Sequence, residues 1–192
     1  MSELPLFPLQ AVLCPAGRLA LRVFEARYLD MVARCLRGEN RFGVIAIREG
    51  AEVGAATTYE VGTSAEIVDW QQESGGLLGI LAAGLTPFRV LATRREADGL
   101  YVADVDWLNV PAPQALPPAH APLAALLEKL LTPLPLYRGV VPALDDAVWV
   151  GGRLIELLPL ELAFKQSLLE TADALQRLDR LAAALAASRA SK

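Results

Sequence analysis

The fold is decided by an opening stretch that reads Leu4-Pro5-Leu6-Phe7-Pro8-Leu9 and, further on, Phe24-Glu25-Ala26-Arg27-Tyr28. The first run is an apolar strand signal that carries two prolines, and Cys14-Pro15-Ala16-Gly17 has the composition of a turn. Large apolar residues then alternate over Leu19–Val23, which is the period of a strand with one buried face. The charged and aromatic run after it is typical of a strand-to-helix junction. The stretch therefore predicts two strands and the start of a helix.

The composition predicts a packed protein without a nucleic-acid surface. Of the 192 residues, 54% are hydrophobic and 21% are charged, whereas disordered chains are poor in apolar residues. The net charge is −4 and the pI is about 5.1, and the densest basic pair, Arg94-Arg95, is followed at once by Glu96 and Asp98. Nucleic-acid binders gain affinity from clustered cations, so these features argue against a nucleic-acid partner.

The cysteines and the N-terminus favour a soluble, cytoplasmic protein that does not enter a membrane. Cys14 and Cys35 form no Cys-x-x-Cys motif and are too few for a disulfide framework, so we expect buried thiols in a reducing compartment. No basic segment followed by an apolar run and a cleavage site opens the sequence. The longest uncharged apolar run, 75–88, is shorter than the ~20 residues of a spanning helix and contains glycines and a proline.

Residues 1–110 predict a β-rich lobe with one helix. The strand spacing and the Asp98-Gly99 hairpin signal favour antiparallel pairing in a closed or partly closed barrel, with a second hairpin tip at Gly75–Gly79. A helix over Glu25–Arg37, stopped by Gly38, interrupts the strands. The strands are expected at Leu4–Leu9, Leu19–Val23, Phe42–Ile47, Ala56–Ile67, Leu77–Ala83, Phe88–Thr93 and Tyr101–Trp107.

Residues 111–122 predict a stiff, proline-rich connector, and residues 123–192 predict a helical bundle. Four prolines between Pro111 and Pro118 can continue neither a ladder nor a helix. His120, the one histidine, is expected to be a flexible, solvated side chain in this connector. Past it, apolar residues at helical spacing predict about four helices, the last one capped by Thr171. They are expected near Leu123–Leu131, Asp145–Leu158, Glu161–Leu169 and Ala172–Ala187.

The opening stretch resembles the beginning of the N-terminal, substrate-binding domain of the Lon protease family, and two further parts carry the resemblance. The run Val61–Ile67 and the run from Gly84 to Val90 are similar to strands of that family. The helical signature, Lys165-Gln166-x-Leu168-Leu169-Glu170-x-x-Asp173-x-x-x-Arg177-Leu178-x-x-Leu181, is the most specific of the three. The resemblance implies an α+β fold with a β-rich, PUA-like pseudo-barrel lobe followed by an α-helical bundle.

The sequence departs from that family in detail and in length. Pro87 stands where the family more often has Arg, and Ala16 and Ala26 stand where Gly and Pro are common. Full-length members continue from the final helix into an ATPase module and a peptidase module, whereas this sequence stops at Lys192. We therefore expect a freestanding single-domain member that lacks both modules.

The residues that catalysis would require are missing, so we expect no enzyme, no metal and no cofactor. A phosphate-binding loop needs Gly-Lys-Ser/Thr, and no Gly-Lys pair occurs. A Lon-type Ser–Lys pair would have to use Ser167 and Lys165, which point to different faces of a helix, so Lys165 is expected to be a solvated helix residue. A Cys–His pair or a zinc site would have only one histidine and two separated cysteines to use. These are too few for a zinc site, which needs several nitrogen or sulfur ligands.

The candidate binding residues are charged and aromatic: Phe24, Glu25, Arg27, Tyr28, Trp70 and Trp149. For the first four, the alternative is structural, with Arg27 and Glu25 tying the helix start to the barrel and the two aromatic rings packed beneath. For the tryptophans, burial in the core is the expected state. An exposed tryptophan bordered by polar groups would suit a protein interface.

The resemblance implies non-enzymatic recognition of unfolded or partly folded polypeptide, or of a partner protein. An extended peptide could add to an edge of the barrel or lie in the groove between the lobes. The alternative is RNA binding, since some PUA-like pseudo-barrels bind RNA. The ligand and the oligomeric state are left open by the sequence.

Overall fold

The computed structural model describes residues 2–39, 41–52 and 56–190 of the chain. The chain divides into two compact units, which we call the β unit (Met1–Val110) and the helical unit (Pro111–Lys192). Among the described residues, the β unit holds six strands and one α-helix, and the helical unit holds four α-helices. The predicted α+β class, a β-rich pseudo-barrel followed by a helical bundle, is confirmed.

One sheet that closes on itself forms the β unit. Its strands are β1 (Ser2–Leu9), β2 (Arg18–Val23), β3 (Phe42–Gly50), β4 (Ala56–Gln72), β5 (Leu78–Arg95) and β6 (Tyr101–Trp107). Their order is β2-β5-β4-β3-β1-β6, and β6 returns to pair with the second half of β5. Five strands thereby form a closed ring, while β2 pairs with the first half of β5 alone in the described part of the chain.

The prediction of antiparallel pairing is wrong for one strand pair. β1 and β3 run parallel, with Leu6 opposite Gly43. The chain leaves β1, passes through β2 and the helix α1 (Ala26–Arg34), and enters β3 in the direction in which β1 ran. A long crossover of this kind allows a parallel neighbour, which a two-residue hairpin does not.

The two strands predicted at Leu77–Ala83 and Phe88–Thr93 are one continuous strand, β5. A glycine and a proline lie between the two predicted ranges, and the register between β4 and β5 shifts there as at a β-bulge. At this bulge the Ser64 hydroxyl donates to the carbonyl oxygen of Thr86 (3.0 Å) and accepts from the Thr86 N–H (3.1 Å). The side chain thus satisfies backbone groups that the irregular ladder would leave unpaired.

The turn between β1 and β2 is fixed against β5. Ala16 has a left-handed backbone with φ of 60°, which no other non-glycine residue among those described adopts. Its N–H donates to the carbonyl oxygen of Gly84 (2.9 Å), and the Gly84 N–H donates to the carbonyl oxygen of Gly17 (2.9 Å). A Cβ on Gly84 would lie 2.2 Å from the carbonyl oxygen of Cys14, so the close approach of the two segments requires glycine.

One of two apolar clusters in the described part of the β unit lies between the sheet and α1, and the other is formed by strand residues. Tyr28, Met31, Val32 and Cys35 are buried in one apolar cluster together with strand residues, at the helical spacing that the sequence shows. After α1 the chain makes a π-helical turn over Cys35–Glu39, in which Gly38 has φ of 121°. The glycine therefore ends the helical segment, as predicted.

The helical unit contains α2 (Ala121–Leu131), α3 (Ala147–Leu157), α4 (Leu162–Leu169) and α5 (Ala174–Ala190). The proline-rich segment before α2 is bonded to the start of α3. The Leu116 N–H donates to the carbonyl oxygen of Asp145 (2.7 Å), and the Ala147 N–H donates to that of Gln114 (2.7 Å). Asp146 caps α3, because its Oδ1 accepts from the N–H of Val148 (3.0 Å).

Two side chains of the helical unit differ from expectation. Asp173 caps α5, since its Oδ1 accepts from the N–H of Leu175 (2.9 Å), whereas the Thr171 hydroxyl donates back to the carbonyl oxygen of Ser167 (2.8 Å). His120 is not a solvated side chain, because its Nε2 lies 2.8 Å from Asp179 Oδ1 and the side chain is 11% exposed. Among the described residues, no helix has the length and apolar character needed to span a membrane.

Candidate functional site

The strand-to-helix junction is held by a buried arginine. Arg27 Nη2 lies 2.7 Å from Glu25 Oε2, and Arg27 Nη1 donates to the carbonyl oxygen of Gly99 in the turn between β5 and β6 (3.1 Å). The guanidinium also lies 4.6 Å from the centre of the Tyr28 ring. Arg27 therefore ties the start of α1 to the β5–β6 hairpin.

Tyr28 lies beneath this junction. Its ring stacks on the ring of Phe7, with centroids 4.1 Å apart and an angle of 13° between the planes. Burial raises the pKa of Tyr28 above 10.0, with Arg27 opposing the shift and Glu25 adding to it. The tyrosine is thus a neutral core residue at ordinary pH.

Phe24 does not pack beneath the junction as the structural alternative required; it is 61% exposed. Beside it lies a cleft of about 260 Å³ that runs along β2, which we call the β2 cleft. Its walls are mostly apolar, and its charged residues are Arg22, Glu25 and Glu52. Its apolar lining includes Phe7, Leu9, Leu19, Leu21, Val23 and Phe24. An exposed aromatic ring beside an apolar cleft is a feature of binding surfaces.

Trp70 is 54% exposed, so the core burial expected for it is wrong. In the sheet it stands opposite Ile80, and Ile80 stands opposite Leu21 of β2. Directly opposite residues of antiparallel strands project to the same face of a sheet. Trp70 therefore shares a cross-strand row with Leu21, which lines the β2 cleft, although Trp70 itself does not line it.

Trp149 belongs to the helical unit and is not brought together with the other candidates. It is partly buried and lines a second cleft of about 380 Å³, whose wall includes Pro133, Pro135 and Pro142. The Arg153 guanidinium lies 5.6 Å from the centre of the Trp149 ring. Four of the six candidates thus lie at the strand-to-helix junction. Trp70 lies in the cross-strand row that contains Leu21 of β2, and Trp149 lies in the helical unit.

The sequence did not reveal a buried ion pair in α3. Arg153 Nε lies 2.8 Å from Glu156 Oε2, and both side chains are buried. The Tyr137 hydroxyl donates to the same oxygen (3.1 Å). Lys165, expected to be solvated, instead donates from Nζ to the main-chain carbonyl oxygen of Glu156 (3.1 Å). The one available sequence signal was an Arg and a Glu three residues apart within an apolar helix.

The helical signature forms the joint between α4 and α5. Arg177 donates from Nε to the carbonyl oxygen of Leu168 (3.1 Å) and from Nη2 to that of Thr171 (2.7 Å). Ser167 Oγ donates to the carbonyl oxygen of Phe164 (2.8 Å) and accepts from Arg180 Nη2 (2.7 Å). The serine is therefore engaged in this joint and not with Lys165.

A third cleft, of about 350 Å³, was also missed by sequence reasoning and lies in the β unit beside Trp107 and Arg34. Its charges are largely compensated, because Arg94 lies 2.8 Å from Glu3 and 3.6 Å from Glu96. The described residues contain no group of three or more His, Cys, Asp or Glu side chains that could hold a metal ion.

Comparisons with known proteins identify the fold. A crystal structure of a Lon N-terminal domain protein from Xanthomonas campestris matches with a TM-score of 0.78 and 39% identity over 95% of this chain and 98% of that one. The N-terminal domain of a Mycobacterium avium complex Lon protease matches with a TM-score of 0.63 and 18% identity, over 94% of this chain and 96% of that one, and shows the same fold.

Curated relatives share the sequence over part of their length. Lon protease from Anaeromyxobacter dehalogenans is 26% identical over 90% of this chain, and cereblon from Xenopus tropicalis is 32% identical over 56% of it. The chain spans 22% and 24% of the lengths of these two relatives. The model of the ATP-dependent protease La (LON) substrate-binding domain matches residues 3–187, and the chain belongs to that family.

Proposed function

We propose that the chain is a non-catalytic module that binds unfolded or partly folded polypeptide, or an equivalent segment of a partner protein, at the β2 cleft. The observation that carries this proposal is Phe24, an aromatic ring 61% exposed at the rim of an apolar cleft. The junction beneath it is fixed by the Arg27 hydrogen bond to Gly99. Aromatic anchors on a rigid frame supply much of the energy of protein interfaces.

The size of the expected contribution follows from the exposed ring. Burying a fully exposed phenylalanine side chain stabilises a complex by about 1.5–3 kcal/mol. Because Phe24 is already partly covered, its burial would contribute about 1–2 kcal/mol, or roughly a 5- to 30-fold change in the dissociation constant.

A binding titration with a matched control tests the proposal. The probe is reduced and alkylated α-lactalbumin, and native α-lactalbumin with its disulfides intact is the folded control. We expect the unfolded probe to bind and to remain uncleaved, and Phe24→Ser to weaken binding by roughly 5- to 30-fold. Leu91→Ser is the control variant, because Leu91 is 58% exposed in the same unit and does not line the cleft. Equal losses for both variants, or no binding of the unfolded probe, would overturn the proposal.

The charges of the β unit argue against the RNA alternative. Five of its described arginines are paired with glutamates, among them Arg22 with Glu73 at 3.3 Å, Arg89 with Glu60 at 3.4 Å and Arg94 with Glu3 at 2.8 Å. Cations compensated in this way have less to gain from phosphate. A single-stranded RNA oligonucleotide at low salt is therefore expected not to displace the unfolded probe.

A further inference from the structure

The outer edge of β2 is open to another strand. One side of β2 pairs with β5 from Arg18 opposite Ala83 to Val23 opposite Leu78. Within residues 2–39, 41–52 and 56–190, no hydrogen-bond partner is present for the backbone groups of its other side. Unpaired N–H and C=O groups along an edge are a template for an added strand.

The hydrogen-bond pattern identifies which residues face outward. The Gly84 N–H donates to the carbonyl oxygen of Gly17, so Gly17 directs its carbonyl toward β5. Bonding direction alternates along an antiparallel strand. The backbone groups of Leu19 and Leu21 therefore point to β5, and those of Arg18, Ala20 and Arg22 point to the open edge.

The β2 cleft lies alongside this edge and provides apolar contacts. Leu19 and Leu21 are partly buried and line the cleft, and Phe24 follows at its rim. Alternate side chains of a strand added to β2 would project on the face that Leu19 and Leu21 occupy. A helical ligand satisfies its own backbone groups, so the open edge favours an extended one.

A second copy of β2 does not suit this edge. Antiparallel pairing of two copies about Ala20 would place Arg18 of one opposite Arg22 of the other. Like charges directly opposite each other destabilise a strand pair. The charges therefore favour an extended segment of a different sequence.

The uncompensated charge at the cleft is negative. Arg22 lies 3.3 Å from Glu73, and Glu25 lies 2.7 Å from Arg27. Glu52 accepts a hydrogen bond from the Gln10 N–H (2.8 Å) and has no cationic partner among the described residues. A lysine or arginine in the bound segment would complement Glu52.

We infer that the polypeptide binds by strand addition, with an extended segment of alternating apolar residues and one basic residue pairing with the outer edge of β2. This inference rests on the proposed function and specifies its geometry. The backbone of the segment bonds to Arg18, Ala20 and Arg22, its apolar side chains enter the β2 cleft, and its cation lies near Glu52.

Backbone methylation of a peptide tests the inference without altering the protein. The probe is a nine-residue peptide in which valine alternates with threonine around a central lysine. Two isomers carry three N-methyl groups each, either on valines or on the residues between them. Since alternate amides point to opposite edges of a strand, we expect one isomer to bind within about twofold of the parent and the other to lose at least about tenfold. Equal affinities of the two isomers would overturn strand addition.

Two substitutions make the matching test on the protein. Ala20→Pro removes the outward N–H and leaves the bonds to β5, so it should weaken peptide binding by at least about tenfold, while Ala20→Val should stay within about twofold. Replacing the peptide lysine with glutamate should weaken binding by about two- to fivefold, and that loss should vanish in Glu52→Gln. If Ala20→Pro binds as the parent does and folds as the parent does by circular dichroism, the inference is wrong.

The two proposals fail in different ways. Should unfolded α-lactalbumin bind in a Phe24-dependent manner while both methylated peptides bind equally, the β2 cleft is a polypeptide site but strand addition is excluded. Should neither the unfolded protein nor the peptide bind, the proposed function itself is excluded.

Discussion

Gly84→Ala is expected to destabilise the β unit, because the added Cβ would meet the main chain of another segment. The Cβ would lie 2.2 Å from the Cys14 carbonyl oxygen, whereas ordinary contact begins at 3.4 Å. To reach that separation the strand and the turn must move apart by more than an ångström. The displacement would break the two 2.9 Å hydrogen bonds that Gly84 makes to Ala16 and Gly17.

These contacts determine the expected loss of stability in Gly84→Ala. Two backbone hydrogen bonds contribute about 0.5–1.5 kcal/mol each, and steric overpacking costs about 1–3 kcal/mol. Alanine restricts the unfolded chain, which offsets about 0.4–1 kcal/mol. We expect the free energy of unfolding to fall by about 1–5 kcal/mol, which lowers the urea midpoint by roughly 0.5–2.5 M at an m value of about 2 kcal/mol/M.

The assay is urea unfolding followed by tryptophan fluorescence in a Trp149→Phe background, so that Trp70 and Trp107 report on the β unit. Gly79→Ala is the matched control in the same strand. Its Cβ would lie 3.0 Å from Glu73 Oε1, the end of a flexible side chain that can move away. We expect that control to change stability by less than about 1 kcal/mol. If Gly84→Ala costs no more than Gly79→Ala, the close approach does not control stability.

Three further predictions concern stability. Ala16→Gly should stabilise the β unit by up to about 1 kcal/mol in the same assay, because relief of left-handed strain exceeds the entropic cost of glycine, and a loss would contradict this. Arg153→Met should destabilise the helical unit by about 3–5 kcal/mol by leaving Glu156 buried without its guanidinium, and adding Glu156→Leu should restore most of the loss in urea unfolding followed by circular dichroism. Burial raises the pKa of Tyr28 above 10.0, so neutral Tyr28 contributes stability that is fully present below pH 10 and is lost as the pH rises through its folded pKa. The Tm should therefore fall less steeply with rising pH across that alkaline range for Tyr28→Phe than for the parent protein. Parallel plots of Tm against pH for the two proteins would refute a raised pKa of Tyr28.

The turns and α1 are predictable from sequence because their signals are local. Gly99 has φ of 88° in the β5–β6 turn, Gly75 has φ of 79° at the other hairpin tip, and Gly38 has φ of 121° after α1. Each of these conformations is open to glycine and costly for most other residues, so the identity of one residue is enough to place a turn. The apolar spacing of α1 was also a local signal, because residues three and four positions apart lie on the same face of a helix.

The pairing of strands depends on contacts that no short window contains. β5 is continuous across a glycine and a proline because Ser64, 22 residues earlier, bonds to the backbone of Thr86. The parallel pairing of β1 with β3 likewise depends on the path of the whole crossover. A window around 84–87 carries the residues typical of a turn and holds no information about Ser64.

The candidate site was predictable only in part. The junction from Phe24 to Tyr28 was identified from its charged and aromatic composition, but its exposure was not, because a buried and an exposed phenylalanine give the same local signal. Glu52 was missed since its contact is with Gln10, 42 residues away. The open edge of β2 was equally hidden, because an edge is a property of the strand order.

The junction separates two roles within five residues. Arg27 and Tyr28 are buried and bonded to elements far along the chain, so they fix the frame, whereas Phe24 is exposed and makes no comparable contribution to folding. Under the proposed binding at the β2 cleft, loss of Arg27 would reduce binding only through loss of structure, and loss of Phe24 would reduce binding with structure intact. The proposed recognition of unfolded chains would benefit from this arrangement, because a rigid frame holds the open edge of β2 in place while the exposed ring can contact varied sequences.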